Sequence, residues 1–244
     1  MTFHSKPGAI PGACGCTASA APVGMPRRGF LGVGAMALAA GAGLAFAPRT
    51  ALAQSTLSPD EALALLAAGN ERFVSAKFAS FQEDLDILKQ NNVAKQEPFA
   101  AVLSCADSRV PVELVFDQSI GHVFVTRVAG NVATSEVIAS LEYGQAVLGV
   151  KAIMVLAHEG CGAVKAAVGG KAVPGQIGGL YPPLRAAVLQ AGPDYEAVAK
   201  ANARIQADIL INASPLLGEA IKQGSLKIVA AYYALATGKV TPLA

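Results

Sequence analysis

A cysteine, an aspartate and an arginine occupy alternate positions in Cys105-Ala106-Asp107-Ser108-Arg109, directly after the apolar run Phe99-Ala100-Ala101-Val102-Leu103. A second apolar run, Ala152-Ile153-Met154-Val155-Leu156, leads into His158-Glu159-Gly160-Cys161. Each run reads as a buried strand, and in open α/β sheets ligands gather at the carboxyl ends of parallel strands. Two thiolates and one imidazole make a zinc ligand set, because zinc prefers four ligands in a tetrahedron and sulfur and nitrogen donors hold it tightly at neutral pH. Cys105, His158 and Cys161 supply three, leaving the fourth position to water or to Asp107. With Asp107 in that position the same residues make a purely structural zinc site. A disulfide between Cys105 and Cys161 is the remaining alternative, and it is the ordinary meaning of two cysteines in an oxidising compartment. Polar partners at short spacing favour thiolates held by metal.

These residues need a scaffold that brings two distant strand ends together. Ser58-Pro59-Asp60-Glu61 predicts a helix start, with serine at the cap, proline in the first turn and glutamate completing a capping box. Leu63, Leu66, Phe73 and Val74 recur at helical intervals and carry that helix through about Lys77. A second helix is expected from Asp84 to Lys95, with Leu85 and Leu88 on its apolar side. Such an arm packs either on a partner subunit or on the chain's own core. Phe99 to Cys105 is a strand covered on both faces, and Pro111 opens a short helix through Phe116. His122 to Arg127 is the next strand, and Ala129-Gly130-Asn131 a turn. Thr134 or Ser135 caps a helix to Leu148, with Ile138, Leu141 and Val147 buried. Ala152 to Ala157 is the third strand. Cys161 to Val168 is a helix whose first N–H groups, near Gly162 and Ala163, point toward the metal end. Residues 169 to 183, rich in glycine and proline, read as a surface loop, and Val198, Ile205 and Ile209 mark a longer helix before Pro215. Leu226 to Tyr233 is the last strand, closed by a Thr237-Gly238 turn. The alternation predicts an α/β fold: a parallel-centred β-sheet flanked by helices, with an N-terminal helical arm.

The 244 residues, 53% of them hydrophobic, suit one compact domain with an ample core plus a targeting segment. The net charge of +2 comes from the first 53 residues, which contain Lys6, Arg27, Arg28 and Arg49 but no acid. The remainder holds 15 basic against 17 acidic residues and no basic run, so electrostatics offers no case for nucleic acid or an anionic membrane, and the substrate is expected to be small. Arg27-Arg28-Gly29-Phe30-Leu31 precedes a charge-free stretch from Gly29 to Ala47. It resembles a twin-arginine export signal, and Ala51-Leu52-Ala53 supplies the small residues for cleavage before Gln54. An uncleaved membrane anchor is the alternative. The expected organisation is residues 1–53 as signal and 54–244 as the catalytic domain of a periplasmic or secreted protein, with the twin-arginine export machinery as a transient partner. Cys14 and Cys16 would leave with the signal, and only Cys105 and Cys161 would remain.

Cys-x-Asp-x-Arg after a strand, with His-x-x-Cys about fifty residues on, resembles the beta-class carbonic anhydrases. The likeness extends through Phe124-Val125-Thr126-Arg127-Val128-Ala129-Gly130-Asn131, Leu141-Glu142-Tyr143 and Thr237-Gly238-Lys239-Val240. It implies one Zn2+ per chain on Cys105, His158 and Cys161, and a homodimer or higher assembly that interconverts carbon dioxide and bicarbonate. It also implies a dyad in which Arg109 holds Asp107 away from the metal, so that water takes the fourth position; without Arg109, Asp107 becomes the fourth ligand. Zinc lowers the pKa of a bound water from about 15.7 to near 7, which makes hydroxide available, and Asp107 would orient it toward carbon dioxide. The resemblance further assigns substrate contacts to Gln118, Tyr143 and the backbone N–H of Gly162. The competing readings are a loop glutamine, a core tyrosine and a glycine needed for close packing.

Glu159, Ala157, His122 and Val128 depart from the family's usual residues, which touches the surroundings of the site and proton export rather than the ligands. His122 reads as a structural histidine at a strand start, with a proton shuttle as the other possibility. The absence of tryptophan points to the constitutively open type rather than the bicarbonate-inhibited one. Hydrolysis of carbonyl sulfide or carbon disulfide on the same fold is the alternative activity.

Overall fold

The computed structural model describes residues 55–80, 93 and 95–244. The expected export signal, 1–53, lies outside the described residues, as does most of the helix expected from Asp84 to Lys95. Val93 and Lys95 themselves lie in irregular chain. The elements run α1 (Pro59–Val74), β1 (Ala100–Ser104), α2 (Val112–Val115), β2 (Val123–Arg127), α3 (Ser135–Ala146), β3 (Ala152–His158), α4 (Gly162–Gly169), a 3₁₀ turn (Ile177–Leu180), α5 (Tyr181–Ala191), α6 (Tyr195–Ala213), α7 (Pro215–Lys222), β4 (Lys227–Tyr233) and β5 (Val240–Leu243).

The strands form one sheet in the order β2-β1-β3-β4-β5. The first four are parallel, and β5 runs antiparallel to β4. β1 and β3 are buried at every position, which is why both read as unbroken apolar runs rather than as alternating ones. Side chains alternate between the faces of a strand. Ala101, Leu103, Ile153 and Val155 therefore join one core with Leu184 and Leu210, and Ala100, Val102, Met154 and Leu156 join a second with Leu66 and Phe116. The chain leaves β1 for β2 on one side and then crosses to β3 on the other. That reversal of winding falls between β1 and β3, where a crevice opens in doubly wound sheets. Ser104 pairs with Leu156, so Cys105 and His158 lie within two residues of that last pair, at neighbouring strand ends.

α1 starts as its sequence dictates, with Glu61 N donating to Ser58 Oγ at 3.3 Å and Ser58 N to Glu61 Oε2 at 2.7 Å. It ends at Val74 rather than Lys77 because Ala76 takes a left-handed φ of 54°. Ala76 N and Lys77 N then cap the carbonyls of Phe73 and Arg72 at 3.0 and 2.9 Å. The buried stripe of α1 is Ala62, Leu66, Gly69 and Asn70, and Val74 is 48% exposed. Gly69 permits the contact, since a Cβ there would lie 1.8 Å from the Phe116 carbonyl oxygen. Asn70 spends its amide on Val115 O and Gly238 O and accepts from Val240 N, at 3.1, 2.9 and 2.8 Å. It thereby ties α1 to the end of α2 and to the β4–β5 hairpin.

Several elements depart from expectation. α3 buries Leu141 but leaves Ile138 half-buried and Val147 exposed at 48%, because Val147 is already the C-cap. Part of the expected loop 169 to 183 is the 3₁₀ turn, and α5 begins at Tyr181 with Pro182 and Pro183 in its first turn, where proline sacrifices no helical hydrogen bond. α7 is separate from α6, started by Pro215 and capped by Ser214, whose Oγ accepts from Leu217 N at 3.1 Å. β4 is not the last strand. Pro242 lies in β5 opposite Ala231, which is tolerated because β5 is an edge.

Candidate metal centre

Cys105 and His158 come from the ends of β1 and β3, and Cys161 is the N-cap of α4. Their ligand atoms all lie within 4.8 Å of one another, and all three residues are buried. The two thiols are free, with Sγ atoms 3.9 Å apart, whereas a disulfide requires about 2.0 Å; the bridged alternative is not what this fold holds. His158 Nδ1 lies 2.9 Å from the Glu159 carbonyl, which can only accept, so the proton belongs on Nδ1 and the lone pair on Nε2. That Nε2 is buried without a hydrogen-bond partner. A buried orphan acceptor facing two thiols is what a metal ligand looks like before its ion is counted. Two sulfurs and one imidazole nitrogen fit zinc by donor type.

The two thiols share a hydrogen bond, which pulls the Cys105 thiol well below its ordinary pKa against the opposing effect of burial. The same bond, with burial adding to it, pushes the Cys161 thiol up. Gly130 N donates to Cys105 Sγ at 3.3 Å. Arg109 grips Asp107 through Nε to Oδ1 at 2.9 Å and Nη2 to Oδ2 at 2.7 Å, and its own backbone N reaches Oδ1 at 3.0 Å. Arg109 holds the Asp107 carboxyl far below the usual carboxylate range, with desolvation working the other way. Asp107 Oδ2 stands 3.9 Å from His158 Nε2. Arg109 Nη2 also reaches the Gly160 carbonyl at 3.3 Å, which links the loop after β1 to the one after β3.

Gln118 is buried, with its amide donating to the Phe116 carbonyl at 2.9 Å. Tyr143 is 47% exposed on α3, its ring 6.3 Å from that of Phe124. Gly162 opens α4 with nothing within 4 Å of where a Cβ would sit. His122 is exposed at the start of β2. Glu159 accepts from Ala236 N at 3.1 Å and pins the turn after β4.

Two arrangements around the site were not singled out from sequence. Arg127 donates from Nε to Cys105 O at 2.9 Å and from Nη2 to Asp107 O at 2.5 Å, clamping the backbone that carries a ligand and the dyad. Asp117, fully buried at a φ of 43°, accepts from Arg72 Nε at 2.5 Å, Ala79 N at 3.0 Å and Ser80 N at 3.1 Å. It anchors the Gln118 loop to the chain leaving α1. Arg127 had a readable sign: it is the one charged residue of β2, where it pairs with Ser104 at the end of β1. Asp117 had none, because its partners lie 37 to 45 residues upstream.

A parallel α/β sheet with a Cys-His-Cys cluster at its switch point defines a zinc-site protein of doubly wound type. Residues 100–240 match the family model described as carbonic anhydrase. Carbonic anhydrase 2 of Mycobacterium tuberculosis is 35% identical over 190 residues, covering 75% of this chain and 91% of that one. The β-carbonic anhydrase CafA of Aspergillus fumigatus superposes with a TM-score of 0.61 at 26% identity, over 75% of this chain and 90% of that one. A Coccomyxa β-carbonic anhydrase solved with acetazolamide gives 0.56 at 26% identity, over 65% and 81%. The chain belongs to the carbonic anhydrase family, with the fold of the beta class. It is an enzyme, and the Cys105, His158 and Cys161 cluster offers the donor set that a zinc ion could occupy.

Proposed function

We propose that the protein catalyses the reversible hydration of carbon dioxide to bicarbonate and a proton, with Asp107 as the orienting acceptor and Arg109 as the residue that keeps it available. The single observation that carries the reading is the grip of Arg109 on both oxygens of Asp107 beside a buried Cys-His-Cys cluster. When bound by Cys105, His158 and Cys161, zinc supplies a Lewis acid that brings the pKa of water from about 15.7 to near 7. Asp107, ionised at neutral pH, accepts a hydrogen bond and has none to give. It therefore selects an attacking oxygen that still carries a hydrogen and turns that oxygen's lone pair toward carbon dioxide. Arg109 fixes the carboxylate plane and leaves Asp107 little freedom to act as a fourth ligand. The first N–H groups of α4, beginning at Gly162, favour the developing negative charge of bicarbonate. Gln118 and Tyr143 enter as pocket residues only by resemblance.

We also infer a homo-oligomer: the Sordaria macrospora relative is described as a tetrameric β-carbonic anhydrase, and Tyr143 and Val147 leave an apolar strip exposed on α3. Export on Arg27-Arg28 with cleavage before Gln54, and hence a periplasmic or secreted location, is supported by residue pattern.

The test is stopped-flow hydration of carbon dioxide against pH on the chain beginning at Gln54. The expected result is turnover that rises with pH, disappears when a chelator strips zinc and returns on adding it back. A zinc-loaded protein with no turnover at any pH would refute the assignment, and carbonyl sulfide hydrolysis in its place would reassign the substrate.

A further inference from the structure

A thiolate that binds a metal is stabilised in its ionised form and held in place by the N–H groups that point at its sulfur, and losing such a partner weakens metal binding. At Cys105 Sγ that donor is Gly130 N, at 3.3 Å. The donor sits in an awkward turn: Gly130 has a φ of 80° and Asn131, next in the chain, a φ of 42°. A non-glycine residue in the left-handed region departs from what its own chain prefers, so contacts from elsewhere must hold the turn. They come from α6. Asn202 Nδ2 donates to Gly130 O at 2.9 Å, and Gln206 Oε1 accepts from Ala133 N at 2.8 Å. Gln206 Nε2 in turn donates to Asn202 Oδ1 at 3.1 Å and to Pro183 O at 3.3 Å.

Both amides are sealed from water, at 0% and 1% exposure. They stand four residues apart on the stripe Val198, Asn202, Gln206, Leu210, whose other two members are apolar and buried. A helix needing only to pack there would carry apolar side chains at all four positions, because a buried amide is tolerated only when paired. Both are paired with the backbone of the loop that donates to Cys105 Sγ, Gln206 reaching Pro183 O as well. The Gly130 carbonyl faces α6 while its N–H faces Cys105, so a single glycine joins the amide pair to the sulfur.

We propose that Asn202 and Gln206 are positioning residues for the metal centre: by fixing Gly130 to Ala133 they hold the Gly130 N–H on Cys105 Sγ and so set how tightly that thiolate binds zinc. Neither touches the sulfur or the metal. The inference rests on Cys105, His158 and Cys161 being the zinc ligands.

The experiment measures zinc affinity by competition with a chromophoric chelator, and cadmium-113 NMR on the cadmium-substituted protein. In the wild type, scalar coupling from cadmium through Cys105 Sγ to the Gly130 amide proton is expected. Asn202→Leu, similar in shape but unable to donate, should lose that coupling and 10- to 100-fold in zinc affinity while keeping its native circular dichroism. Gln206→Met, which leaves Asn202 on the Gly130 carbonyl, should lose less, and serves as the second variant if Asn202→Leu does not fold. Asn212→Ala, which removes a solvent-facing amide bonded only within α6, should match the wild type. A merely structural role would lower stability and leave affinity and coupling unchanged in the folded variants; that outcome, or a wild type without coupling at Gly130, overturns the proposal. A wild type that takes up no zinc would instead overturn the ligand assignment itself.

Discussion

Replacing Asp117 with alanine should cost about 3 kcal/mol, which can be worked from its surroundings. The carboxylate is buried and satisfied by Arg72 and by the backbone N–H groups of Ala79 and Ser80. Breaking a buried ion pair from one side costs about 3–5 kcal/mol, chiefly through the partners left without an acceptor. Arg72 is 35% exposed and can turn to water, which places the loss near the lower bound. The left-handed φ of residue 117 adds to it, since aspartate tolerates that region better than alanine does. At about 2–4 °C per kcal/mol for a chain of this size, the midpoint should fall by about 6–12 °C. Thermal and urea unfolding followed by circular dichroism measure it. The pH dependence has a definite sign. Burial pushes the Asp117 carboxyl up, but the Arg72 bond and the two backbone N–H groups outweigh it and leave the folded pKa below the ordinary value. Its stabilisation is therefore fully present above about pH 4, the unfolded value, and is lost as pH falls through the folded one. The gap between wild type and Asp117→Ala should close in acid. A midpoint drop under about 2 °C at neutral pH, or a gap that stays constant in acid, would refute the reasoning.

Asp107→Ala should retain stoichiometric zinc and lose carbon dioxide hydration, read by metal analysis beside stopped-flow; full activity would remove Asp107 from the mechanism. Cys161→Ser should lower zinc content at equilibrium and reduce thermal stability only when zinc is present in the comparison, because metal binding is linked to folding. Gly69→Ala should destabilise by about 3 kcal/mol or more, beyond the usual cost of an added methyl group, since its Cβ would meet the Phe116 carbonyl oxygen at 1.8 Å; denaturant titration within 1 kcal/mol of wild type would contradict the close seat of α1.

The cluster was legible because chemistry at a sheet's switch point follows apolar runs: Cys105 stands just past β1, His158 ends β3 and Cys161 follows three residues later. α1 was legible at its start, where the capping box is local, and misjudged at its end, where the left-handed Ala76 had no sequence mark. Proline misled at Pro182, read as part of a loop, since whether it opens a helix depends on neighbours that sequence does not display. Asn202 and Gln206 interrupt an apolar stripe at four-residue spacing. That interruption was visible, but the identity of their partners, about 70 residues upstream, is a property of the folded chain alone.

The 56-position separation of the two thiols also places the site in time. A ribosome adding about 5–20 residues each second exposes Cys105 for roughly 3–11 s before Cys161 exists. The Gln206 that braces the Gly130 loop follows later still. During that interval Cys105 has neither of its cluster partners, the other thiols already made being Cys14 and Cys16. Loading the metal is thus a late event of biosynthesis, and the first cysteine depends in the meantime on the reducing power of the compartment in which translation happens.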